Sequence, residues 1–175
     1  MAKSETASAL ERVRAIYERR PGSAVHADSP ATAIWQQGLR VVTTHPSGRS
    51  VISDMPVEFG GTGTEITPGW YSRAGAAACA ATCIAIAAEL RGVTLRVLEV
   101  TAESRSDGRG VLGMHEADGH PVDAAPTVLR LRVKLAGNAE GAVLEDLARQ
   151  GCGCSPVARA LARKNEIGLE IVVAR

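Results

Sequence analysis

The sequence predicts an α+β fold, and three observations predict it. Two β-rich runs, 39–44 and 50–54, flank His45-Pro46-Ser47-Gly48, which reads as a hairpin turn. A helical stretch from Thr67-Pro68 to about Arg91 is apolar on every side through its middle. Residues 128–135 alternate cleanly, with Leu129, Leu131, Val133 and Leu135 inward and Arg130, Arg132 and Lys134 outward. An early hairpin, a long buried helix, further strands and late helices together make an α+β architecture.

At 175 residues the chain suits one domain with a real core. Residues 4–20 read as an amphipathic helix, with Leu10, Val13, Ile16 and Tyr17 on one face and Pro21 ending it. Residues 21–33 read as a linker, so 1–33 form an N-terminal helix and linker and 34–175 a single domain. The run Phe59-Gly60-Gly61-Thr62-Gly63-Thr64 is expected to be a flexible loop. It lacks a Gly-Lys-Ser/Thr ending and so is no phosphate cradle. Thr67 then serves as N-cap, Pro68 fills the first turn and Gly92 stops the helix, giving a spine roughly 35 Å long. Its uncharged segment 74–88, bracketed by Arg73 and Glu89, is shorter than the about 20 residues that span a bilayer, so a core helix is expected. Next come a strand at 95–102, a turn at Asp107-Gly108 and the strand at 128–135. A helix follows over 139–150 with Val143, Leu144 and Leu147 on one side, then a short helix from Pro156 and a closing strand at 169–173.

Composition narrows the function. A net charge of +1 argues for neither a nucleic-acid nor a membrane partner, and 3% aromatics leave few stacking platforms. Four cysteines in a chain this long are not a secreted disulfide framework. The N-terminus, Met-Ala-Lys-Ser-Glu-Thr, lacks the apolar core of a signal peptide, so a cytoplasmic setting with reduced thiols is expected.

The cysteines fall into two pairs. Cys79 and Cys83 lie one helical turn apart on the same face of the long helix. Cys152 and Cys154 precede a helix start at which Ser155 can N-cap and Pro156 takes the first turn. A thiol beside a helix N-terminus favours the thiolate, which singles out Cys154, whereas Cys79 needs a cation supplied by tertiary structure. Against this stand two other readings. Helix-core cysteines are ordinarily packing, and four cysteines can bind zinc, although an i,i+4 pair suits tetrahedral coordination poorly. His115, Glu116, Asp118 and His120 sit in a Gly/Pro-flanked loop and read as a solvated loop rather than a metal site. His45 reads as turn, and the Arg/Lys face of 130–134 as the solvent side of a sheet.

The segment TPGWYSRAGAAACAATCIAIAAELRGV resembles the central helix of the OsmC/Ohr family of thiol peroxidases. CSPVARAL, before the closing strand, resembles that family's second-cysteine segment, and LEVTAESRSDGRGVLG its strand and turn after the helix. The likeness runs from about Thr62 to Arg175. It implies antiparallel sheets around a buried central helix in an intertwined homodimer, and an all-apolar helix agrees with a shared body. It also implies a cofactor-free peroxidase acting on organic hydroperoxides. Cys79 matches the peroxidatic cysteine and Cys154 the resolving one, with a dithiol reductant, lipoyl-type or a small thiol, reopening the disulfide. Cys83 and Cys152 are additional to the family pattern. The family sets a Glu after the helix-start Pro to orient an activating Arg; here that slot is Gly69, and Glu65 is the acid that could replace it. Arg40 and Arg49 on the early strands are the candidate arginines, while Arg73 lies off the Cys79 face. A second reading implied by Gly69 is an OsmC-like dimer that binds a small molecule or senses redox state through its thiols.

Overall fold

The computed structural model describes residues 3–162 and Ile171. The chain opens on α1 (Glu5–Arg19), capped by Ser4, whose hydroxyl accepts from the Ala7 N–H at 2.9 Å. The same hydroxyl donates to the Glu89 carboxylate, so the cap also docks the helix. Ala7 is the buried contact; Val13, Ile16 and Tyr17, the expected inward face, remain 41–44% exposed.

Strand β1 (Thr32–Gln37) begins inside the stretch expected to be linker, and all six of its residues are exposed. It pairs antiparallel with β2 (Arg40–Thr44), which pairs antiparallel with β3 (Ser50–Ser53). The expected hairpin is present in register, Val41 facing Ser53 and Thr44 facing Ser50. The His45 N–H donates to the Arg49 carbonyl at 2.8 Å, and Gly48 takes φ 83°, a left-handed turn position that glycine fills without a Cβ penalty.

The loop expected to be flexible is instead organised by one carboxylate. Asp54, 1% exposed, accepts from the Met55 N–H at 2.7 Å, the Thr62 N–H at 2.8 Å and the Thr62 hydroxyl at 2.6 Å. A Cβ at Gly61 would overlap the Met55 carbonyl, so only glycine lets the loop fold back this tightly. The Thr62 hydroxyl, the Thr62 and Met55 N–H groups and the charge of Arg40 hold the Asp54 carboxyl below its ordinary range, outweighing its burial. A depressed carboxyl stabilises the fold above its unfolded pKa, and that contribution disappears as pH falls through the lower folded value. Asp54→Asn is therefore expected to lower the melting temperature at neutral pH. The gap from wild type should close in acid, measured as circular-dichroism melts across pH; a gap independent of pH would show that the charge is not what matters.

Helix α2 (Pro68–Leu90) starts where the sequence places it, with the Thr67 hydroxyl accepting from the Trp70 N–H at 3.4 Å. The Tyr71 hydroxyl donates to the Ile52 carbonyl at 2.9 Å and moors the helix start to β3. Two long strands follow, β4 (Leu95–Arg105) and β5 (Val128–Gly137), paired antiparallel and each longer than expected. Glu103–Arg132 at 3.6 Å and Glu99–Lys134 at 4.0 Å lie across the strands on the solvent side, as the alternation requires. Between them α3 (Gly108–Val111) is a single turn capped by Asp107. A tight turn follows, in which the Glu116 N–H donates to the His120 carbonyl at 2.8 Å. Helix α4 (Gly141–Cys154) and helix α5 (Pro156–Ala162) complete the described chain. The strand expected at 169–173 lies, apart from Ile171, outside the described residues.

The core is small. Ala87 and Ala88 of α2 meet Leu147 of α4, with Val93, Leu95, Val143 and Leu144 packed around them, and Arg91 pairs with Asp146 at 2.5 Å. By length and composition α2 could cross a membrane; here β4, α4, α5 and α1 pack against it. That cover is one-sided. Ile86 and Leu90 stay 37% and 38% exposed on α2, and Ile34 and Trp35 on β1 stay 60% and 66% exposed.

Candidate active site

The site lies where α4 crosses α2, and a glycine sets the crossing. A Cβ at Gly151 would stand 2.6 Å from both the N and the Cα of Ile84, so the two backbones touch there without a side chain between them. Gly151 and Ile84 are both buried. Their neighbours in sequence are Cys152 and Cys83, so the closest approach of the helices brings a thiol from each to one joint.

The sequence places Cys152 and Cys154 ahead of a helix start. In the structure they form the last turn of α4 itself, and Ser155 alone separates α4 from α5. The expected cap is present: the fully buried Ser155 hydroxyl accepts from the Ala158 N–H at 3.4 Å. The thiol that this helix start serves is Cys79 rather than Cys154. Burial raises the Cys79 pKa, but the Ser155 hydroxyl, the Val157 N–H and the Cys83 thiol all donate to its sulfur, and the balance is a lowered value. Cys79 is half-buried, and Cys154, on the solvent side of its turn, is exposed.

The other two thiols are tuned the opposite way. Burial pushes Cys83 up, and the negative charge on Cys79 pushes it further. Burial alone raises Cys152. The Cys83 sulfur also rests against residue 154, 3.7 Å from its carbonyl oxygen. The Cys79 thiol is thus held below its ordinary range, and Cys83 and Cys152 above theirs. All four cysteines are free, and among the described residues no group of three or more His, Cys, Asp or Glu side chains is placed to hold a metal ion.

The two candidate arginines lie at opposite ends of the hairpin. Arg49 follows the turn and contributes its backbone carbonyl to closing it. Arg40 opens β2 and pairs with Glu65 at 3.0 Å, both side chains about 70% covered (28% and 30% exposed). With Gly69 in place of an acid at the helix start, Glu65 is the carboxylate that fixes Arg40. The Arg40 charge is felt at Asp54, while the groups acting on Cys79 are Ser155, Val157 and Cys83. Arg73 points to β4, its guanidinium donating to the Ser104 hydroxyl at 3.2 Å.

A search of curated proteins finds no match. The family model described as OsmC-like protein matches residues 61–170, a span that holds α2, all four cysteines and Ser155. The chain belongs to the OsmC-like family. Among solved structures, an OsmC-like protein from Mycoplasma pneumoniae superposes with a TM-score of 0.64 at 13% identity, over 79% of this chain and 89% of that one. An organic hydroperoxide resistance protein OsmC from Legionella pneumophila gives 0.54 at 20% identity, over 78% and 90%. An organic hydroperoxide resistance protein from Elizabethkingia anophelis gives 0.54 at 18%, over 81% and 91%. At these identities the likeness is one of fold: antiparallel sheets and a central helix, as the OsmC-like sequence motifs imply.

Ser155 is the site group that sequence reasoning assigned to another residue, and the Val157 N–H is one that it did not single out. The Ser-Pro start of α5 is plain in the sequence, but which thiol it meets depends on the α2–α4 crossing. Replacing Ser155 by Ala removes one donor to the Cys79 sulfur and also the cap, worth about 1 kcal/mol. Because the thiolate is the form that reacts, the pH midpoint of Cys79 alkylation by iodoacetamide is expected to rise, and the rate near neutrality to fall severalfold. Ser155→Thr, which keeps the hydroxyl, should restore the midpoint; an unchanged midpoint in the Ala variant would remove Ser155 from the site.

Proposed function

We propose that this OsmC-like chain is a thiol peroxidase that reduces organic hydroperoxides. The observation that carries the reading is the convergence of the Ser155 hydroxyl and the Val157 N–H on the Cys79 sulfur. The Cys79 thiolate attacks the terminal oxygen of ROOH. The O–O bond breaks, ROH leaves after taking up a proton, and Cys79 becomes a sulfenic acid. The Cys154 thiol then attacks that sulfur, water leaves, and a Cys79–Cys154 disulfide forms. A dithiol reductant reopens it by two exchange steps. Cys154 is free to swing because its side chain is exposed at the end of α4.

Of the two arginines, Arg40, whose guanidinium Glu65 fixes, is the one assigned to the site, while the groups that act on the free Cys79 thiol are Ser155, Val157 and Cys83. Arg49 at the hairpin end is assigned none. The working form is a homodimer in which a second copy covers the open side of α2 and the exposed face of β1. A cytoplasmic setting suits a cycle that returns to free thiols at each turnover.

The test is a stoichiometric reaction. Reduced protein is mixed with one equivalent of tert-butyl hydroperoxide, quenched in acid within seconds, and its cysteines are mapped by mass spectrometry. Loss of the hydroperoxide with oxidation at Cys79 supports the peroxidase. Survival of all four free thiols in the presence of unreacted hydroperoxide overturns it.

A further inference from the structure

Two of the four thiols have no part in the cycle above, and both lie at the α2–α4 joint. Cys83 is one turn from Cys79 on the same helix face, and its sulfur rests 3.7 Å from the Cys154 carbonyl oxygen. A direct Cys79–Cys83 disulfide is disfavoured, because i,i+4 Cβ atoms stand about 5–6 Å apart on a helix and a disulfide needs about 3.5–4.5 Å. Cys154 is not so constrained. To bond Cys79 it must turn from solvent onto α2, where its own carbonyl oxygen lies 3.7 Å from the Cys83 sulfur and the adjacent Ser155 donates to Cys79.

We propose that Cys83 is a relay thiol that takes Cys154 over from Cys79 by thiol–disulfide exchange. The Cys83 sulfur, having lost its proton to solvent, attacks the Cys154 sulfur. The Cys79–Cys154 bond breaks, a Cys83–Cys154 disulfide forms, and Cys79 departs as thiolate. One disulfide is consumed and one is made, so the step needs no further oxidant or reductant.

The direction follows from the two environments. Exchange is faster when the leaving thiol is the more acidic, and a couple whose reduced thiolate is stabilised holds its disulfide less tightly. The Ser155 hydroxyl and the Val157 N–H, which the exchange leaves in place, stabilise the Cys79 thiolate, whereas burial and the neighbouring charge disfavour a thiolate at Cys83. The oxidised chain therefore settles with the disulfide on Cys83 and with Cys79 free. The reductant then acts on a disulfide that does not include the peroxide-reacting sulfur.

This inference rests on the peroxidase reading for its loading step only, and the experiment separates the two. Fully reduced full-length protein is oxidised with one equivalent of tert-butyl hydroperoxide, and samples are acid-quenched over time, alkylated and peptide-mapped. Cys79–Cys154 is expected first, giving way to Cys83–Cys154 by at least about tenfold at equilibrium, while Cys79 regains its reactivity toward iodoacetamide. In Cys83→Ser, which keeps a hydroxyl donor at that position but cannot form a disulfide, the first disulfide should form and persist. A wild-type protein that keeps Cys79–Cys154 with Cys83 alkylatable throughout overturns the relay. If hydroperoxide leaves every thiol free, the peroxidase reading fails, and one equivalent of diamide loads the thiols instead. The Cys83–Cys154 product is then still expected, and a stable Cys79–Cys154 disulfide overturns the relay on its own terms.

Discussion

Cys79→Ser is expected to abolish hydroperoxide consumption, with a loss of at least about a thousandfold in the second-order rate. The size follows from what the site supplies. Ser155 and Val157 offer donors to a sulfur anion, and near neutrality a serine hydroxyl offers no comparable anion for them to stabilise. Cys154→Ser separates the two halves of the cycle. Its first equivalent of hydroperoxide should disappear at the wild-type rate, because Cys154 does not donate to the attacking sulfur, and turnover with a dithiol should then fail. Residual hydroperoxide, assayed with and without reductant, reads both outcomes. A Cys79→Ser protein that still consumed hydroperoxide at the wild-type rate would place the chemistry on another thiol.

Gly151→Val is the second large effect, and it acts on fold and site together. A branched side chain at 151 meets the backbone N and Cα of Ile84, 2.6 Å from where its Cβ must go, and backbone cannot rotate aside as a side chain can. Overpacking of this kind costs about 1–3 kcal/mol and more when the obstruction is rigid, so a loss near 3 kcal/mol is expected. For a chain of this size that is about 6–12 °C in melting temperature. Relief comes only by lifting α4 from α2, which carries Ser155 and Val157 away from Cys79. The variant should therefore lose the low alkylation midpoint of Cys79 at temperatures well below its own melting. Gly151→Val with a normal melting temperature would mean that the crossing is looser than its geometry indicates. Gly151→Ala, with one added carbon, should fall between.

Much of the fold was legible because its signals are local. The Thr67-Pro68 start of α2, the Gly48 turn and the alternation of β5 each need only a few neighbouring residues to read, and each is where the sequence puts it. The strand β1 was not legible: Thr-Ala-Ile-Trp-Gln-Gln lacks a clean alternation, and all six residues are exposed, so no buried face imprints one. The end of α4 was misplaced for a related reason. Gly-Cys-Gly-Cys reads as a break, because glycine disfavours helix, yet Gly151 is there to let Ile84 approach. The site follows the same division. Cys79 is singled out by the OsmC-like motif, Cys154 and the Ser155 cap also by their place at a Ser-Pro helix start, and Glu65, the acid weighed as a replacement at Gly69, pairs with Arg40. That the cap faces Cys79 is set by a contact between helices remote in sequence, which no local pattern records.

Two of the donors at Cys79, Ser155 and the Val157 N–H, come from a segment that reaches it only when α4 lies on α2, so the acidity of this thiol is a property of the folded chain. Ordinarily folding shields a cysteine, and denaturation makes it more reactive. Here, in mildly acid solution, the order should invert, with native Cys79 labelling faster than the same residue in urea. A pulse of alkylating reagent at low pH would then report the docked joint by a gain of label instead of a loss, and could follow refolding of this one interface without any added probe.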